Sequence, residues 1–291
     1  MSQHPPTIQS TLAQDTNVAY IDTIQAYDQW ADVYDTDGNF LQALDTIEMQ
    51  WMLPELWAQI KAQTRQIGRQ EYKLVDLGCG TGRNTLQLLD TISQDSLQSN
   101  VQIIGVDASN GMLDVARQRI DAVNRPADIE VELAPFDLLA DIEAPSNRRT
   151  LNLVRDADGV ISTLVLEHIP LNNFFGAAAS ILRSGAYLLV TNMHADMGKR
   201  SQAGFVDSAT GKKVRPSRSY AHEVGQILAE AERWGFEVVQ LPTGKAARSH
   251  GCVDGVIERE VTPDMVERLG PRSQKYAGVC FVWLGVCFRK K

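Results

Sequence analysis

Long apolar runs are missing from this chain of 291 residues. None approaches the ~20 residues that a membrane-crossing helix needs, so a soluble protein without a membrane partner is expected. Cysteine is scarce as well. Cys79, Cys252, Cys280 and Cys287 form no C-x-x-C pair and no metal-ligand spacing, which argues against structural zinc and suits a reducing compartment. Positive charge is in deficit, 28 basic against 36 acidic residues for a net charge of −8, and attraction to nucleic-acid phosphates is not expected. Residues 1–20 contain Pro5 and Pro6 and carry no charged-then-apolar leader, so they read as a flexible tail on a cytoplasmic protein. Neither an internal repeat nor an interdomain linker is visible, and the length suits one large or two small domains.

What is present is organised around Leu74-Val75-Asp76-Leu77-Gly78-Cys79-Gly80-Thr81-Gly82-Arg83-Asn84. A buried strand over 72–77 feeds a glycine turn, and a helix over 82–92 opens directly from it. Glycines let backbone turn tightly and approach a ligand, and a helix start points amide groups at it. A dinucleotide fingerprint would place its third glycine at position 83, which is Arg83. Asp76 at the strand end repels a pyrophosphate but can pair with an ammonium group. The turn therefore suits a cofactor carrying an amino acid.

The rest of the pattern alternates. Residues 101–107 read as a second buried strand ending in Asp107, at the edge where open α/β sheets bind ligands and where a carboxylate can accept both hydroxyls of a ribose. A third strand covers 129–133, a fourth begins at Asp158, a fifth covers 186–191, a sixth 236–241 and a last one 276–289. Upstream, Tyr27, Trp30 and Tyr34 recur at helical spacing, and 39–70 reads as helix with Pro54 marking a kink or a new first turn. Residues 198–216 have hairpin character around Ala209-Thr210-Gly211-Lys212. The stretch 242–272, with His250 and Cys252, shows no pattern.

The VDLGCGTG segment resembles motif I of the class I S-adenosylmethionine-dependent methyltransferases, and the similarity continues in order down most of the chain. It resembles the small-molecule enzymes near the ubiquinone and menaquinone branch. The resemblance implies an α/β fold with a Rossmann-like, seven-stranded, mostly parallel sheet whose last strand is antiparallel. It implies a helical cap over 21–70 and a methyltransferase domain over 71–291, with a hairpin lid inserted after strand five at about 194–218. It also implies S-adenosyl-L-methionine as cofactor and S-adenosyl-L-homocysteine as product. Asp76, Gly78, Gly80, Gly82 and Asn84 would hold the methionine part, with Ser162 and Thr163 beneath it. Asp107 would take the ribose, while Ala108 and Met112, from the D-x-S-x-x-M-L pattern, would lie by the adenine with Asp137 and Leu138. Tyr27 and Tyr34 match a Y-D-x-x-A-x-x-Y-D segment that covers the cofactor in such enzymes.

Methyl transfer needs no metal, and a base helps when the acceptor arrives protonated. His168 and His194 are the candidate catalytic residues, placed after strands four and five, while Glu167 reads as solvated. Arg200, Lys212, Lys213, Arg215 and Arg218 cluster near the lid and would suit a carboxylate-bearing acceptor. The N-P-P-Y motif of nucleic-acid amino-methyltransferases is absent. Asn192-Met193-His194 and residues 203–207 resemble natural-product methyltransferases. The expected function is methylation of an oxygen or nitrogen, with a lean to nitrogen, of a small, partly apolar metabolite of secondary metabolism by a monomer or homodimer. A protein or RNA methyltransferase and a non-catalytic cofactor-binding regulator are the alternatives.

Overall fold

The computed structural model describes residues 18–95, 99–241, 252–253 and 255–291. Of the expected tail, residues 1–17 lie outside this range, and Val18–Ile21 form a strand, β1. Helix α1 (Thr23–Trp30) follows, capped by the Asp22 carboxylate. Helix α2 (Phe40–Gln66) then runs straight through Pro54. The carbonyl that loses its donor there belongs to Gln50, whose side faces solvent, so water can replace the missing bond.

The central sheet begins with β2 (Tyr72–Leu77), followed by α3 (Arg83–Ser93) and β3 (Val101–Asp107). It continues through α4 (Asn110–Asp121), β4 (Ile129–Pro135), α5 (Pro145–Val154) and β5 (Ala157–Thr163). Helix α6 (Leu171–Ile181) leads to β6 (Leu182–Met193). All seven residues of β5 are buried, the mark of a central parallel strand covered on both faces. After β6 come α7 (Ala195–Gly198), β7 (Phe205–Val206), β8 (Lys213–Pro216) and α8 (Val224–Arg233). Strands β9 (Phe236–Val239), β10 (Cys252–Val253) and β11 (Val256–Glu260) precede α9 (Val266–Leu269) and β12 (Phe281–Lys290).

Strands β4, β3, β2, β5 and β6 lie side by side in parallel, and β12 runs antiparallel against β6. The expected mostly parallel sheet with an antiparallel last strand is therefore present. Its strand number differs, because among the described residues the sheet has nine strands. Two strands share the far side of β12 end to end: β9 pairs with Cys287–Lys290, and β11 pairs with the preceding half and carries β10 outside it. The chain order reverses between β2 and β5, so the carboxyl ends of these strands form the crevice where such sheets take ligands.

Helix α2 is a layer of the sandwich. Leu44, Met49, Met52, Leu53, Leu56 and Ile60 are at most 1% exposed. A Cβ on Gly159 of β5 would overlap Ile60, so the small residue is what lets the helix lie against the sheet. Asp45 of α2 accepts hydrogen bonds from Arg83 (2.8 Å), Asn84 (3.0 Å), Thr191 (2.5 Å) and Trp283 (3.0 Å), tying the helix to α3, β6 and β12. A buried bidentate pair, Arg259 to Glu48 at 2.8 and 2.9 Å, joins it to β11.

A second, three-stranded sheet lies above the crevice. The β7–β8 hairpin turns where the Asp207 carboxylate accepts the Thr210 amide (2.6 Å) and Gly211 adopts φ +68°. Strand β1 pairs in parallel with β8, so the N-terminal segment and the hairpin form one leaf. Trp30 is the leaf's anchor, 1% exposed, stacked on Phe205 at 5.4 Å, with its indole N–H donated to Asp37 (3.0 Å). Among the described residues no helix is long and apolar enough to cross a membrane.

Candidate active site

Two cavities meet beneath the leaf. The first, about 690 Å³ counting its mouth, follows the carboxyl ends of β2 to β5. The second, about 1640 Å³ on the same basis, lies under the β7–β8 hairpin. Tyr27, Tyr34 and Leu164 line both, so the wall between them is built from these side chains.

Gly78, with φ +79°, and Gly80, with φ +53°, lie in the first cavity's floor. A Cβ on Gly78 would overlap Val165, whereas one on Gly80 would meet nothing within 4 Å, because the space beside it is the cavity itself. The turn's amides are already committed. Gly78 N–H and Cys79 N–H donate to Val106 O at 2.7 and 2.9 Å, Gly82 N–H to Cys79 O at 2.9 Å, and Gly80 N–H to the Asp107 carboxylate at 2.9 Å. The turn therefore offers these amides to no phosphate, and a half-buried carboxylate lines the cavity in their place. Asp107 also accepts the Ser109 amide (2.8 Å), and burial raises its pKa.

Of the other residues expected around the cofactor, Ala108, Met112, Asp137, Leu138 and Thr163 line the first cavity together with Tyr27 and Tyr34. Four do not line either cavity. Asp76 lies buried, with one oxygen accepting the Thr85 hydroxyl (2.6 Å) and the other without a partner, and burial lifts its pKa to about 7. Gly82 packs on Ala116, Asn84 donates to Asp45 and to Thr163 (2.7 Å), and the Ser162 hydroxyl donates to Leu77 O (2.7 Å). These three hold the floor in shape.

The two histidines part company. His194 lines neither cavity; Nε2 donates to Glu258 (2.9 Å) and Nδ1 accepts the Asp196 amide (3.1 Å). His168 does reach the first cavity, but both nitrogens are occupied. Nδ1 donates to Arg218 O (3.1 Å), which leaves Nε2 to accept the Tyr27 hydroxyl (2.7 Å). Burial pushes its pKa down to about 4 and the Tyr27 pKa well up, so both stay neutral and pin α1 to the sheet. The His168 ring protons are accordingly expected to show no titration in NMR spectra between pH 5 and 8. A midpoint near 6.5, the ordinary imidazole value, would mean that the ring is solvated.

Glu167 corrects the sequence reading. It is 5% exposed, lines the second cavity and has one carboxylate oxygen without a hydrogen-bond partner; burial raises its pKa to about 7. Leu164, also unforeseen, holds φ +56° at the end of β5, a conformation that costs a branched residue about 1–2 kcal/mol. Of the cations expected to cluster near a lid, Lys213 and Arg215 reach the second cavity, joined by Arg272 and Lys275 from beyond α9.

A parallel sheet with a glycine turn at its reversal point and a strand-end acid beside it defines a class I methyltransferase architecture. The profile of a methyltransferase domain family matches residues 69–239. An uncharacterized methyltransferase of Emericella nidulans is 50% identical over 277 residues, spanning 92% of this chain and 91% of that one. The chain belongs to the class I S-adenosylmethionine-dependent methyltransferases. Among solved structures, a methyltransferase from Mesorhizobium loti is 19% identical, with a TM-score of 0.47 over 75% of this chain and 90% of that one. One from Methanosarcina mazei is 13% identical, with a TM-score of 0.48 over 76% and 93%. S-adenosylmethionine is the cofactor, and the open space beside Gly80 and the half-buried Asp107 carboxylate lining the cavity fit it.

Proposed function

We propose that this enzyme transfers a methyl group to an oxygen or nitrogen of a small, partly apolar metabolite held in the second cavity. The observation that carries this reading is the shared wall of Tyr27, Tyr34 and Leu164, which sets donor and acceptor spaces edge to edge. When bound, S-adenosylmethionine supplies a methyl group on a positively charged sulfur. Asp107 would accept hydrogen bonds from the ribose hydroxyls, and Asp137, Leu138 and Met112 would bound the adenine end. Tyr27 and Tyr34 would present aromatic faces to the sulfonium, an attraction of about 1–2 kcal/mol in a dry site. Their main work is alignment and exclusion of water, which can supply about 7–11 kcal/mol of the barrier.

The second cavity's wall includes Phe40, Met193, Met197, Phe205 and Tyr276. At its charged rim stand Arg215, Arg272 and Lys275, none of which has an ion pair among the described residues. An aromatic or aliphatic body bearing an acid group fits that lining. We place the enzyme in the cytoplasm and in secondary metabolism, with nitrogen the favoured target. Incubating it with a metabolite extract and methyl-labelled cofactor should yield a labelled small product retained on an anion exchanger. Label confined to protein or RNA would overturn the reading.

A further inference from the structure

The second cavity contains a buried acid that the fold does not use. Glu167 sits in the short 3₁₀ turn Leu166–His168 directly after β5, three residues beyond the shared wall at Leu164. Its backbone is held on both sides, the amide donating to Asn192 Oδ1 (3.2 Å) and the carbonyl accepting the Tyr220 amide (2.7 Å). The side chain takes no part in this: Oε2 is buried and has no partner. His168 Nε2 stands 3.9 Å from Oε1, but it accepts the Tyr27 proton and has none to give. The surroundings compensate little: its own backbone amide favours the charged carboxylate, but Asp45 on α2 repels it, Tyr27 and Tyr34 stay protonated, and of the other charged groups lining the cavity Asp37 is an acid, Arg215 is half-buried, and Lys213, Arg272 and Lys275 are exposed to solvent. A buried oxygen left unpaired is costly, so it calls for a partner that the described residues do not supply.

Resting on the methyl-transfer reading above, we propose that Glu167 is the group that receives the acceptor's proton. The acceptor presents an O–H or N–H to the Glu167 carboxylate, which lines the cavity. Its lone pair forms the bond to the methyl carbon, the carbon–sulfur bond breaks, and that electron pair stays on sulfur as a neutral thioether. The proton passes to the carboxylate and from there to solvent when product leaves. This selects acceptors that arrive protonated and still carry a lone pair, such as a phenol, an alcohol or an amide; an ammonium group must first hand its proton to Glu167 before its nitrogen can attack. A thiolate or carboxylate nucleophile would face Glu167 as a like charge.

Two measurements on the full chain test this. Dicyclohexylcarbodiimide, an apolar reagent for protonated carboxyl groups in apolar surroundings, should modify Glu167, as located by peptide mass mapping. The yield should fall as the pH rises through about 7, and Asp76, equally buried but lining neither cavity, should stay unmodified. An unmodified Glu167 would overturn the proposal. In the labelled-extract assay, Glu167→Gln should lower turnover about 10²- to 10⁴-fold, the usual range for losing a general base. Cofactor affinity by calorimetry should hold, the rise of rate with pH expected of the wild type should vanish, and Glu167→Asp should restore part of the rate. Turnover of the Gln variant within a few-fold of wild type would refute the assignment. A wild-type enzyme that labels no small product would instead contradict the methyl-transfer reading, and the carbodiimide mapping would still decide this one.

Discussion

Asp107→Ala is expected to weaken S-adenosylmethionine binding about 100- to 1000-fold in calorimetry, with the protein still folded. We propose two tasks for the carboxylate. Within the protein it accepts the Gly80 and Ser109 amides at 2.9 and 2.8 Å, fixing the glycine turn against the loop that begins α4. Toward the cofactor its remaining lone pairs face the first cavity, where two ribose hydroxyls can reach them. Hydrogen bonds to a charged group are worth about 1.5–3 kcal/mol each, so losing the pair removes about 3–4 kcal/mol or more of binding, and each factor of ten is about 1.4 kcal/mol. The fold should survive because the turn has other supports: Gly78 and Cys79 still donate to Val106, and Asp28 still caps α4 by accepting the Ser109 hydroxyl (2.6 Å) and the Gly111 amide (2.9 Å). An unchanged dissociation constant would remove Asp107 from the binding site.

Glu167→Gln is expected to make the protein more stable at pH 8 by up to about 3 kcal/mol, with the gain fading as the pH falls to 4.5. In the folded chain the carboxyl titrates at about 7 against an ordinary 4.5, chiefly because it is buried. Below 4.5 it is protonated in both folded and unfolded chains and carries no penalty. As pH rises through 7 the folded chain must ionise it in the interior, so stability present at low pH is lost. That gap, at about 1.4 kcal/mol per pH unit, gives the stated size, and glutamine avoids it with nearly the same shape. Urea denaturation of both proteins at pH 5, 6.5 and 8 measures the difference directly. Equal stabilities at pH 8 would show that the carboxylate is solvated or compensated. A variant that gains stability while losing turnover is what a strained functional acid should give.

The parts of this molecule legible in the sequence are those set by short-range chemistry. The apolar runs ending in Asp76 and Asp107, and the glycines between them, declare parallel strands, a turn and a strand-end acid within a few residues of one another. Helix α2 was legible as helix but not as a layer of the sandwich, because its role depends on small residues far away, Gly159 among them. The β10–β11 hairpin was invisible for a similar reason: its partner is β12, beyond α9 in the chain. Glu167 beside His168 and Pro170 looks like a solvated polar turn. It is buried among residues distant in the chain: Asn192 and Tyr220 hold its backbone, and Tyr27 and Met193 line the same cavity. His194 stood at the end of a strand, where catalytic groups gather, yet its ring is taken up by Glu258 from β11, a pairing no local pattern announces.

The parallel pairing of β1 with β8 has a consequence for traffic through the enzyme. Because the hairpin above the acceptor space shares backbone hydrogen bonds with the strand leading into α1, neither can swing aside without dragging the other. Helix α1 carries Tyr27, whose hydroxyl is latched to His168, and Asp28, which grips the loop after Asp107. If the two cavities hold donor and acceptor as proposed, lifting this shutter to admit one guest would unlatch the roof over both chambers, and exchange of spent donor and finished product would be mechanically a single event.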